Sequence, residues 1–363
     1  MATIYIVSEN GKLQKKADTL QLTHHDGTVS TIFPFKTEQL VILGSVEITG
    51  GALRTLMRHG IETIFLSSNG KFQGKLVFQE NKNVFLRQKQ FKLLDSLEFR
   101  SSIAKAIVEG KLRNQLTFMQ RITRRDETKS FLNQIIENMK RNIQKVSEAK
   151  EIASLRGLEG IGAKYFFSVF RENITPDWAV FKGRSMNPPE DNVNAVLSFL
   201  YTLILNRVDA AIEEEGLDPY VGYYHELDYG KRTLAFDLME EYRTPLADTL
   251  CCALFNLGTL SSEDFREVVF SSESEEFPLA MESTTVEEGA ERPVLYQEKK
   301  GVLLTKEGLK KVIIQFEKKL ETQLFYSPQS KHLSYKRIIR EQVRHFRRVL
   351  VGEEREYKPL VMK

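Results

Sequence analysis

Hydrophobic and polar residues alternate along residues 1–82. Thr3-Ile4-Tyr5-Ile6-Val7 is β-branched and aromatic, and Thr28–Phe33, Gln39–Leu43, Ile61–Leu66 and Phe72–Phe78 repeat that character. Such runs fit the half-buried, pleated surface of a sheet. Asn10-Gly11, Asp26-Gly27 and Asn69-Gly70 fall between them. These dipeptides tolerate the positive φ values of type I′ turns, so three tight hairpin connections are expected. One short helix, Ala52–His59, fits between Gly51 and Gly60. The pattern predicts a small, mostly antiparallel β domain over residues 1–82.

The period changes near Asn83. From Val84 to Lys150 apolar residues recur every three or four positions, as in Ile103, Ala106 and Ile107 or Leu132, Ile136 and Met139, with charges on the opposite face. This is helical amphipathicity. Asp191, after Pro188-Pro189-Glu190, suits the N-cap of a helix running to Glu215, with Gly216 as its stop. Ala195–Val208 within it has little polar face, which places that helix at the centre of an all-helical domain over residues 83–363. Ser198, Thr202, Asn206 and Arg207 interrupt the stretch, so it falls short of the ~18 uninterrupted apolar residues of a membrane span. Thr244-Pro245 reads as an N-cap followed by proline at the first helical position, opening a helix through Cys251-Cys252 to Gly258. The expected fold class is α+β: a small β domain followed by a larger helical one, with no membrane partner.

Composition adds the compartment. The two cysteines are neighbours in an apolar stretch. Bridging adjacent residues strains the intervening peptide, so free thiols in a helix core and a reducing compartment are expected. No basic region followed by an apolar run opens the chain. A cytoplasmic protein is expected.

Charge first misleads, then informs. The formal net charge of 363 residues is only +3, from 52 Lys and Arg against 49 Asp and Glu. That is too mild to announce a nucleic-acid partner. Yet Ser271–Arg292 holds seven glutamates and one arginine, a local net of −6, which leaves +9 on the remaining residues. This acidic stretch, poor in hydrophobics, reads as a flexible surface loop at 271–292. Lys331–Arg348 reverses the sign, with seven basic residues, Arg340 and Arg344 among them, against Glu341. That helix either follows a DNA backbone or docks on acidic faces of its own domain.

Two clusters could carry chemistry. Asp237, Glu240 and Glu241 are spaced i, i+3, i+4 and can share one helix face. A turn at Gly230 could fold His225 back towards them. One imidazole with two or three carboxylates is a hard, oxygen-dominated set that suits Mg²⁺ or Mn²⁺ better than zinc. The bland alternative is an exposed helix face with Glu240–Arg243 pairing. In the second cluster Glu159 sits among Gly157, Gly160 and Gly162 at the expected start of an apolar helix, where anionic groups are favoured. The Gly-Lys-Ser/Thr of a P-loop is missing. A glycine-rich helix start without function is the alternative here.

These residues are similar to a known family. Gly157–Phe166 matches its Gly-x-Glu-Gly segment ending in Tyr-Phe, Arg184–Asn194 its Arg…Pro-Pro-x-Asp-x-x-Asn segment, and His225 with Leu234–Arg243 its histidine and Asp-Leu-Met-Glu run. Lys111-Leu112-Arg113-Asn114-Gln115 matches its Lys-x-x-Asn-Gln, and Gln342, Gly352 and Tyr357-Lys358-Pro359 its C-terminal helix and tail. The chain resembles the universal CRISPR-associated integrase, the metal-dependent DNA endonuclease and integrase of CRISPR adaptation. The resemblance implies Glu159, His225 and Glu240 as ligands of Mg²⁺ or Mn²⁺, with Asp237 beside the metal as a further catalytic residue. The other nitrogen of His225 then needs an orienting partner. It implies double-stranded DNA as substrate (a short foreign duplex and the CRISPR repeat), a homodimer through the N-terminal region, and a small ferredoxin-like adaptation protein as partner. Lys164, Tyr165, Arg184, Lys231, Arg232, Arg243, Arg340 and Arg344 are candidate DNA contacts. The implied reaction is attack of a 3′-hydroxyl on a phosphodiester. The rivals are a stand-alone divalent-metal nuclease for branched or damaged DNA and a non-catalytic DNA-binding scaffold.

Overall fold

The computed structural model describes residues 2–68, 70–76, 82–125, 132–185, 188–270 and 299–362. The acidic segment 271–292 and Asn69 lie outside the described residues. The chain divides into two compact units. The first comprises Met1–Glu80, Ser185–Ala195 and Glu263–Lys310; the second comprises Asn81–Arg184, Val196–Ser262 and Lys311–Lys363.

The first unit opens with β1 (Ala2–Val7), β2 (Gly11–Lys16), β3 (Thr19–Thr23), β4 (Val29–Ile32), β5 (Thr37–Leu43), β6 (Val46–Ile48), α1 (Gly50–Arg58), β7 (Glu62–Leu66) and β8 (Phe72–Leu76). They form two four-stranded sheets, ordered β1-β5-β7-β8 and β4-β3-β2-β6. Ile6, Leu13, Leu20, Leu40, Ile42, Leu56 and Ile61 are buried in one cluster. The pairing is mixed: β1/β5, β5/β7 and β2/β6 are parallel, whereas β2/β3, β3/β4 and β7/β8 are antiparallel. The cause is topological. The chain returns from β5 through α1 before laying down β7, and a crossover of this kind gives parallel neighbours. Gly27, at φ +80°, turns the β3–β4 hairpin as expected, but Asn10, at φ +59°, carries the chain from one sheet to the other. The first unit also holds an antiparallel pair, β9 (Phe265–Phe270) with β10 (Lys299–Leu304). The sequence pattern had assigned this region to helix.

The rest of the chain is largely helical: α2 (Val84–Lys92), α3 (Leu97–Arg125), α4 (Asn133–Glu148), α5 (Ile152–Arg171), α6 (Asn192–Glu214), α7 (Thr233–Tyr242), α8 (Thr249–Asn256), α9 (Lys306–Leu320) and α10 (Tyr335–Val351), with a short pair β11 (Gln323–Tyr326) and β12 (Lys331–Ser334). Asp191 caps α6, accepting from the Asn194 amide at 2.7 Å, and Gly216 stops it at φ +79°. By length and composition α6 could cross a membrane, but 78% of its most apolar window is buried, as in a core helix.

Two local expectations change. Glu159 and its flanking glycines are not at a helix start. They lie inside α5, so a helix N-terminus does not explain them. Gly162 instead lets α5 approach α3, because a Cβ there would collide with the Leu112 side chain. Nor does Thr244-Pro245 open a new helix. Arg243–Asp248 is a π-helical turn that joins α7 to α8. Proline has no amide to donate, and the wider turn absorbs the missing bond.

Candidate active site

The site is built on α7 and the loop that crosses its first turn. Gly222 lies so close that a Cβ there would sit 2.6 Å from the Thr233 carbonyl carbon. The Gly222 amide donates to Thr233 Oγ1 at 2.8 Å. One turn further along, Asp237 gathers the loop: the amides of Tyr223, Tyr224 and His225 donate to its carboxylate at 2.6, 3.0 and 2.9 Å. The same carboxylate pairs with Nδ1 of His225 at 2.7 Å. A carboxylate at Nδ1 fixes that nitrogen as the donor and leaves Nε2 to act as a ligand or base. Asp237 is thus the orienting partner that the sequence left unnamed. Burial pushes His225 towards lower pKa, but the Asp237 bond and the charges of Asp237, Glu240 and Glu159 outweigh it, and the pKa is raised.

Two other helices reach this histidine's surroundings. Lys111 of α3 bonds to Oε1 of Glu159 of α5 and lies 2.8 Å from Oε2 of Glu240 of α7. The Tyr224 hydroxyl donates to Glu159. The Glu240 side chain is wholly buried, and its Oε1 lies 3.0 Å from Arg243. Neither oxygen of Glu240 receives a well-directed hydrogen bond. Burial acts to raise the Glu159 pKa, but the Lys111 ammonium and the bonds from Lys111 and Tyr224 hold it down at about 2. Burial and the charge of Glu159 push the Tyr224 phenol far up, so it stays a donor.

Among the described residues no three His, Cys, Asp or Glu side chains converge closely enough to hold a metal ion. Glu159 and Glu240 meet through the Lys111 ammonium instead. The donor set nevertheless fits a hard divalent cation: a buried carboxylate with both oxygens lacking a directed bond, a second, partly buried carboxylate, and an imidazole already tied at its other nitrogen.

The remaining candidate residues scatter. Arg184 and Arg243 lie over the Tyr201 ring, 5.3 and 4.9 Å from its centre, and the Tyr201 hydroxyl donates to Asp248 at 2.6 Å. Burial drives the Asp248 carboxyl up to about 6 against the bonds from Tyr201 and Thr244. Lys231 lies over Phe236, 5.9 Å from the ring centre, and Arg232 pairs with Asp209. Lys164 is exposed and Tyr165 half-buried on α5. Arg340 pairs with Glu214 at 3.1 Å, and Arg344 with Glu215 at 2.9 Å and Glu341 at 2.8 Å. The basic helix therefore spends these charges on acidic groups of its own unit. Glu241 serves another purpose than Asp237 and Glu240. It accepts from Gln342, Tyr357 and the Leu360 amide, which anchors the C-terminal tail. Sequence reading missed Lys111 and Tyr224 as members of the site, and the Tyr201–Asp248 pair beside Arg184 and Arg243. Only Lys111, inside the Lys-x-x-Asn-Gln motif, and Tyr224, beside His225, carried any signal.

A family model described as CRISPR associated protein Cas1 matches residues 4–271. The chain belongs to the Cas1 family. The CRISPR-associated endonuclease Cas1 3 of Thermus thermophilus is 30% identical over 365 residues, covering 100% of this chain and 98% of its own length. Two solved structures share the fold. A casposase bound to integration product has a TM-score of 0.79 at 20% identity, covering 100% of this chain and 95% of that one. A chain of a Cas6-RT-Cas1–Cas2 complex has a TM-score of 0.79 at 22% identity, covering 100% of this chain and 36% of that one. Relatives in the Cas1 family carry the name CRISPR-associated endonuclease, and this chain has the α+β architecture of N-terminal strands followed by helices.

Proposed function

We propose that this chain is the divalent-metal-dependent endonuclease and integrase of CRISPR adaptation. The observation that carries the reading is the buried meeting of Glu159 and Glu240 beside an imidazole oriented by Asp237, in a chain of the Cas1 family. Glu159, Glu240 and Nε2 of His225 would hold Mg²⁺ or Mn²⁺. When bound, such an ion polarises the scissile phosphodiester and stabilises charge on the leaving oxygen.

The residues' own tasks follow from the geometry. Asp237 holds the loop and the His225 tautomer. The Tyr224 hydroxyl steers Glu159 by donating to it. Arg243, against Glu240, supplies positive charge at the edge of the site. The reaction would be transesterification. The 3′-hydroxyl of a short duplex forms a new bond to phosphorus as the bond to the repeat's 3′ oxygen breaks. The attacking hydroxyl gives its proton to solvent, and the leaving 3′ oxygen takes one up from solvent to become a hydroxyl. Water in place of the hydroxyl gives strand cutting at the same site. The partners would be double-stranded DNA, a second copy through residues 1–82, and a small ferredoxin-like protein. The relatives solved with an integration product and in a Cas1–Cas2 complex support the DNA and protein partners. Two buried cysteines that form no disulfide support a cytoplasmic setting.

The test is Mn²⁺-dependent strand transfer into a supercoiled plasmid carrying a repeat array, with Glu159→Gln, His225→Ala and Glu240→Gln. Each variant should lose about 100-fold or more, the scale of removing one preorganised electrostatic group. Retained activity in any two would overturn the assignment. Cutting without joining by the wild type would favour the stand-alone nuclease.

A further inference from the structure

We propose that the Lys111 ammonium is the resident cation of this site: it holds Glu159 and Glu240 together before metal arrives and is exchanged out when the divalent ion enters. The proposal rests on the metal reading above and assigns that site a built-in competitor.

The argument begins with charge. Glu159 and Glu240 come from different helices, and their side chains are 15% and 0% exposed. Two carboxylates brought this close in a buried setting repel unless a cation stands between them. Lys111 stands there, itself only 8% exposed, in contact with Glu159 and 2.8 Å from Glu240. Asp237 does not share this task, because its oxygens are taken by three backbone amides and His225. Arg243 lies 3.0 Å from the other oxygen of Glu240. Lys111 is therefore the one group that touches both carboxylates among the described residues. A divalent ion bridging them needs the same oxygens, and an ammonium cannot remain at contact distance beside it without like-charge repulsion. The compact, flexible lysine head group suits exchange better than a planar guanidinium would.

The exchange separates this role from a merely structural one. A lysine that only scaffolds the pocket would, when removed, weaken metal binding or leave it unchanged. A lysine that competes would, when removed, strengthen it.

The experiment uses the full chain with Lys111→Met and, as a second uncharged variant that keeps one hydrogen bond, Lys111→Gln. Mn²⁺ affinity is read from the electron paramagnetic resonance signal of free Mn²⁺, and melting temperature is read in EDTA and in saturating Mn²⁺. Both variants should melt lower than wild type in EDTA. They should recover more of that loss with Mn²⁺ and bind Mn²⁺ about tenfold or more tightly, the scale of removing one like charge at contact distance. Unchanged or weaker Mn²⁺ affinity in the variants, with normal binding by wild type, would overturn the exchange and leave the metal reading standing. Wild type that binds no Mn²⁺, or a Glu240→Gln variant that binds as well as wild type, would overturn the metal reading and this proposal together.

Discussion

At the scale of single residues the site depends on which hydrogen bonds each carboxylate accepts. Asp237 takes four, three from backbone amides and one from His225. Asp237→Asn would turn a donor group towards donors. The variant should lose about 1–3 kcal/mol in urea denaturation, the cost of leaving buried donors unmatched. Strand transfer should fall further than this stability loss explains, because the His225 tautomer is released. Full activity with normal stability would contradict the assigned role. His345 shows the opposite use of an imidazole. Its Nε2 accepts from the Lys358 amide at 2.9 Å and its Nδ1 faces Glu354, so it is neutral in the fold. Burial lowers its pKa in spite of Glu354. A histidine whose folded pKa is depressed contributes stability that is complete above its ordinary value of ~6.5 and lost as pH falls below it. Denaturation midpoints between pH 7.5 and 5.5 should fall more steeply for wild type than for His345→Leu, which has no proton to gain. Equal slopes would contradict this.

Among the elements, helix periodicity was legible and local punctuation was not. The cap at Asp191 and the stop at Gly216 appear where the sequence places them. Thr244-Pro245 carries the same signature as a helix start, yet sits in a π-helical turn. The turn also sits in long-range packing that no local pattern records, including the Tyr201–Asp248 bond across 47 residues. The glycines of α5 divide in the same way. Gly162 faces Leu112, whereas nothing lies within 4 Å of the position a Cβ would take at Gly157. Gly162→Ala should cost about 1–3 kcal/mol by overpacking. Gly157→Ala should add about 0.5–1 kcal/mol, the ordinary helix-interior gain. Thermal melts of the two variants give the comparison, and equal effects would remove the packing argument.

For the whole molecule, motif order was legible and meeting points were not. Glu159 and Glu240 were singled out separately, but Lys111, 48 residues before Glu159, joins them only in three dimensions. Charge counting had the same limit. The +9 outside 271–292 overstates what DNA can meet, because Arg340 and Arg344 are already paired with acidic groups. Deleting 271–292 should still tighten DNA binding and steepen its salt dependence, through removal of a net −6. An unchanged salt slope would mean the segment does not act on the binding surface. The central claim is a divalent ion held by Glu159, His225 and Glu240 in place of the Lys111 ammonium. The most direct measurement is the anomalous difference map of crystals grown with Mn²⁺. The account predicts a peak in contact with both glutamates and Nε2 of His225, with the Lys111 head group moved away. A peak elsewhere, or Lys111 still bridging the two carboxylates in saturating Mn²⁺, would contradict it.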